Sequence, residues 1–241
     1  LKRKQAWSKI QDLKLKIQKT LQSKYQILKL FIFNSKCLYL PALLRYMSEF
    51  QLYFILGKDH ILDYVNGYDH ILFVVALCAM YLMRDWKKLL ILITAFTVGH
   101  SVTLALSTFE VVSVKAELIE FLIPLTIFIT AVSNIFRREE NQSTFSLQLN
   151  YAYALFFGLI HGLGFSNYLK SILGRDESII TQLLAFNIGL EFGQIIIVAI
   201  FLAAAFIIVD LLSRSRRDWK LILSSAIAGI ALVLMKDKIF W

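Results

Sequence analysis

Asp69 and His70 stand side by side at the start of a long apolar run, Gly67-Tyr68-Asp69-His70-Ile71-Leu72-Phe73. An ionisable pair in such a run costs free energy unless it is partnered, so its partners are the first question. His100 and His161 lie inside two further apolar runs, and Glu120 and Glu191 inside two more. Imidazole with carboxylate suits Zn, Ni, Co or Fe, and the absence of thiolate from the set removes the preference of softer metals. Asp69, His70, His100, His161, Glu120 and Glu191 are therefore the expected metal ligands. Asn187, Ser101, Glu117 and Gln194 are expected behind them, orienting the rings. His60 and Asp63 precede the first run and are expected as capture groups above the main site.

The elements that must position these residues are membrane helices. The chain of 241 residues is 58% apolar with a mean hydropathy of +0.63, against roughly 45–50% apolar content in soluble domains. Six runs of spanning or near-spanning length are predicted: 68–83, 89–106, 117–136, 151–168, 179–212 and 219–235. A span needs about 20 residues. The fifth run is too long for one straight crossing, and Gly189 and Gly193 lie within it, so a helix that projects beyond the lipid or bends there is expected. Residues 50–62 are expected as an interfacial helix. The fold class is thus an all-α transmembrane bundle of six spans plus an N-terminal interfacial helix, seven helices in all.

Faces and depth bring the polar residues together. Glu117, Glu120 and Pro124 fall at i, i+3, i+7, and Asn187, Glu191 and Gln194 at i, i+4, i+7, so each trio shares one helix face. Thr97, His100 and Ser101 make a polar stripe. At about 1.5 Å per residue, His100, His161, Asp69, His70 and Glu120 sit about 18–25 Å from the ends of their runs nearest the basic loops. Glycines at 158, 162 and 164 surround His161 and suit either helix packing or ligand approach.

Charge sets the expected orientation. Arg84, Lys87, Lys88, Arg137, Arg138, Arg214, Arg216, Arg217 and Lys220 fall on one side, against Lys115, Lys170, Arg175, Lys236 and Lys238 on the other. The positive-inside rule places residue 47 and the C-terminus outside the cytoplasm, in a multi-pass protein of the bacterial inner membrane. Residues 1–46 hold eleven Lys/Arg against Asp12 alone. They read as a basic amphipathic extension able to lie on anionic lipid, or as a segment without a folded role, leaving residues 47–241 as a single transmembrane domain. Cys37 and Cys78 are too few and too far apart for a disulfide framework.

The blocks GYDHILF (67–73), FTVGHSVTLAL (96–106), FGLIHGLGF (157–165) and FNIGLEFGQ (186–194) resemble, as an ordered set, the HupE/UreJ family of bacterial membrane proteins. The resemblance implies a role in nickel or cobalt permeation and an association with hydrogenase and urease maturation proteins. In the nickel-permease branch a histidine precedes the Asp-His pair by five residues. Here Asp69 and His70 match the pair, whereas eight residues separate His60 from Asp69. His161-Gly162 matches that branch's fourth-helix His-Gly, without its flanking histidine and acid. Three functions are then open: a permease or facilitator for nickel, cobalt or zinc; a membrane-embedded metal-dependent hydrolase acting at the outer leaflet, with Glu120 or Glu191 as general base; and an accessory subunit that binds another membrane protein. The expected partners are the lipid bilayer, the metal ion and metalloenzyme maturation proteins, not nucleic acid.

Overall fold

A computed structural model describes residues 49–65, 67–137, 144–172 and 179–240. The basic extension at residues 1–46, and Arg138 and Arg175 among the loop charges, lie outside the described residues. Among those described there are seven α-helices and no strand: α1 (Glu49–Leu62), α2 (Tyr68–Cys78), α3 (Trp86–Thr108), α4 (Ala116–Phe136), α5 (Thr144–Ile172), α6 (Ile179–Ala205) and α7 (Arg216–Asp237). Helices satisfy their own backbone polar groups, which hydrocarbon cannot do for them. Ser215 caps α7 by accepting a hydrogen bond from the Asp218 amide at 3.4 Å.

Four stretches are long and apolar enough to cross a membrane: Met83–Thr108, Ala116–Phe136, Ile179–Leu211 and Arg216–Asp237. Two expected spans differ. The first stops being helical at Cys78, because Ala79–Leu82 leaves the helix and a short 3-10 turn follows at Met83–Asp85. Its loose backbone is held from elsewhere: Asn134 donates to the Ala76 carbonyl at 2.7 Å and Arg216 to the Met80 carbonyl at 2.8 Å. The other, α5, is 29 residues long, and its asparagines, histidine and glycines lower its hydropathy.

The helices pair as α3 with α5, α1 with α6 and α4 with α7. Glycine sets two of these pairings. A Cβ at Gly189 would stand 1.9 Å from the Phe54 carbonyl oxygen, and one at Gly57 1.9 Å from that of Phe186. Gly99, Gly158 and Gly162 bring α3 and α5 together in the same way, at 2.1 to 2.3 Å from facing backbone oxygens. Small residues four apart allow backbones to approach closely where no hydrophobic effect drives association. Gly189 and Gly193 do not interrupt the helix. α6 runs unbroken through both, since their missing side chains are used against α1, and the extra length is taken up by a π turn at Phe206–Leu211. For the same reason α1 is no loosely laid surface helix; it packs along α6 with Tyr53 and Ile61 buried.

Candidate metal centre

The break between α1 and α2 is where the site forms. His60 lies in the last turn of α1 and His70 in the first turn of α2, joined by a turn in which the Gly67 amide donates to the Asp63 carbonyl at 3.1 Å. His100 comes from the middle of α3. Ligand atoms of His60, His70 and His100 all lie within 4.8 Å of one another. The His161 ring, from α5, stands 5.5 Å from that of His70, centroid to centroid. The chain has four histidines, and all four meet here from four different helices. Ligands about 2.1 Å from one ion lie up to about 4.2 Å apart, so His60, His70 and His100 are close to the spacing a shared cation needs.

Hydrogen bonds aim the rings. His70 Nδ1 lies 2.9 Å from Asp69 Oδ1, and the same oxygen accepts from the His70 amide at 2.8 Å. His161 Nδ1 is 2.9 Å from the Phe157 carbonyl, which can only accept, so that nitrogen donates. In both residues Nε2 then carries the lone pair, which is how metal-binding imidazoles are usually oriented. Buried without a hydrogen bond are Nε2 of His60, His70 and His161 and both ring nitrogens of His100. Leaving one such group unsatisfied costs about 1–3 kcal/mol. Five of them lie together here.

Residues 37–238 match the family model described as HupE / UreJ protein. The chain belongs to the HupE/UreJ family. No curated protein and no solved structure matches it. For this HupE/UreJ chain, family membership and the four apolar helices agree on a membrane protein.

The other expected residues are distributed unevenly. Glu117 is exposed, and Glu120, also exposed, accepts a 2.7 Å hydrogen bond from Lys238 of α7, away from the histidines. Glu191 accepts from Thr94 at 2.6 Å, six residues along α3 from His100, a rise of about 9 Å. Gln194 is buried and accepts from Thr97 at 2.9 Å, while Ser101 donates to the Thr97 carbonyl at 2.7 Å. Both pairs serve α3 and its contact with α6. Asn187 does reach the cluster. It stands beside His100 outside hydrogen-bond geometry, its Nδ2 donating to the Leu183 carbonyl at 2.8 Å and its Oδ1 buried without a partner. Asp63 accepts from the Val65 amide at 2.9 Å and shapes the turn.

His60, expected above the site, is part of the cluster itself, because α1 is drawn into the bundle along α6. Two aromatic residues that the sequence did not single out enclose it: its ring lies 3.8 Å from that of Phe165 and 5.8 Å from that of Phe186, and these two stack at 5.0 Å. Phe186 opens the FNIGLEFGQ block and Phe165 closes FGLIHGLGF, so the motifs held the signal.

Asp69→Asn tests the orienting role. Asparagine keeps the size but loses the carboxylate that His70 Nδ1 faces at 2.9 Å. Metal affinity should fall about 10–100-fold, with metal per protein restored at saturation. Competition against a chromophoric chelator measures both.

Proposed function

We propose that this protein is a permease or facilitator for a divalent transition metal, nickel, cobalt or zinc, which it holds at His60, His70, His100 and His161. The observation that carries the reading is the convergence of five buried, unpartnered imidazole nitrogens at the α1–α2 break. Binding sites between the ends of interrupted helices are a recurring device in transporters, and the family is associated with nickel and cobalt handling. The lipid-crossing set in this reading has six spans, α1 and α2 together providing one descending segment, with residue 47 and the C-terminus outside the cytoplasm.

The hydrolase reading draws on the same cluster, since three histidines and a water make a catalytic zinc site. Among the described residues its candidate bases are engaged elsewhere: Glu120 with Lys238, Glu191 with Thr94, and Asp69 with His70. That favours the permease. The deciding experiment is uptake of radiolabelled nickel, cobalt and zinc by proteoliposomes. Wild type should accumulate at least one of them above empty liposomes, and His70→Ala should not. Equal uptake by both would sink the proposal, and tightly held metal without any uptake would revive the enzyme.

A further inference from the structure

Three of the cluster's helices repeat one pattern toward the end of the bundle where Arg137 and Arg216 lie. His70 is followed by Phe73 and then Leu77 on α2; His100 is preceded by Phe96 and then Leu92 on α3; His161 is preceded by Phe157 and then Tyr153 on α5. Each step is about one helical turn. The three phenylalanines form a continuous buried layer. Phe73 lies 4.9 Å from Phe96 and 5.9 Å from Phe157, and the His161 ring rests on it at 4.8 Å from Phe73 and 5.2 Å from Phe96.

Directly beyond this layer is a cavity of about 180 Å³, with Phe157 as part of its wall. At about 30 Å³ per water it has room for about six. Leu77, Met80 and Tyr81, at and just past the end of α2, form one side of it. Its far wall is polar, with Asn134, Asn150, Ser133 and Arg137. Arg137 donates to Asn150, and Asn150 to the Tyr81 hydroxyl at 3.3 Å. A site lined by buried imidazoles, a single apolar layer and then a cavity with polar groups on its far side form a sequence from ligation to hydration.

We infer that Phe73, Phe96 and Phe157 are the constriction of the path, and that a divalent cation crossing it exchanges histidine ligands for water in the cavity beneath. The inference rests on the permease reading. An apolar constriction blocks a dehydrated ion by offering it neither ligand nor water, so it conducts only when its side chains part. The Arg137 charge disfavours a resting cation in the cavity, which makes the cavity a place of passage and leaves the dwell site at the histidines.

Phe73 is the residue to vary, because it touches both other members of the layer. In proteoliposomes Phe73→Ala should raise the initial uptake rate several-fold and Phe73→Trp should lower it several-fold, each with the wild-type amount of bound metal. In parallel, Ser133→Cys should react with a small water-soluble thiol reagent above the wild-type background from Cys37 and Cys78, which shows a wet cavity. Uptake at the wild-type rate in both Phe73 variants, with metal still bound, overturns the constriction. An unreactive Ser133→Cys overturns the hydration step. If the wild type itself moves no metal, the permease reading falls and the constriction with it, an outcome distinct from failure of the Phe73 variants alone.

Discussion

His100→Leu should do two opposite things to stability, depending on whether metal is present. In the metal-free protein both ring nitrogens of His100 are fully buried without a hydrogen bond. Replacing them with an apolar side chain removes that cost, so the variant should be more stable than wild type by about 1–3 kcal/mol when metal-free. With metal the order reverses. Wild type should gain about 2.7 kcal/mol at a free metal concentration a hundredfold above its dissociation constant, and the variant, short of one ligand, should gain little. Thermal unfolding in detergent, with and without nickel or zinc, reads both effects. A His100 that serves only packing gives a different result, with the variant destabilised and metal making no difference to either protein. The sign of the metal-free change therefore separates a ligand from a structural histidine, which loss of activity alone does not.

The second large effect belongs to the glycines. Gly189→Ala puts a methyl group 1.9 Å from the Phe54 carbonyl oxygen, a contact with backbone that no rotamer change relieves. α1 must then move off α6, carrying His60 away from His70 and His100. We expect a loss of about 3 kcal/mol or more, at the upper end of overpacking costs, together with loss of metal binding. Gly229 provides the control. It is an exposed glycine in α7 with nothing within 4 Å of an added Cβ, so Gly229→Ala should be neutral or should stabilise by up to about 1 kcal/mol through helix propensity. Far-UV circular dichroism should show retained helicity in both variants, with the midpoint of unfolding falling in the first alone. An unshifted midpoint in Gly189→Ala would mean that the α1–α6 contact is not as close as the glycines imply.

The residues themselves made part of this legible. Hydropathy alone marks the helical class, since segments such as 89–106 have no other way to satisfy their backbones in lipid. The types and spacing of Asp69, His70, His100 and His161 mark imidazole-rich metal chemistry, because ionisable groups in apolar runs need partners and these are the groups available. Depth counting along single helices also brings those four to a similar level.

What periodicity could not supply is which faces meet. Glu120 shares a depth with the histidines, yet its carboxylate is exposed and meets Lys238, a partner 118 residues away in the chain. The same holds for Glu191, whose Thr94 partner is fixed by the crossing of α3 and α6. The place of His60 is tertiary for a related reason: a 14-residue helix next to a span looks interfacial in sequence, and Gly57, Gly189 and Gly193 let it lie against α6. The early end of α2 is likewise tertiary, since Cys78 to Met83 remains apolar and Asn134 and Arg216, from distant helices, help to make the broken backbone tolerable. Sequence thus determined that this chain forms membrane helices and which side chains suit a metal. Backbone approach at the glycines, a property of helix pairs and not of any one helix, decided that the four histidines gather with Asp69 and that Glu120 and Glu191 do not join them.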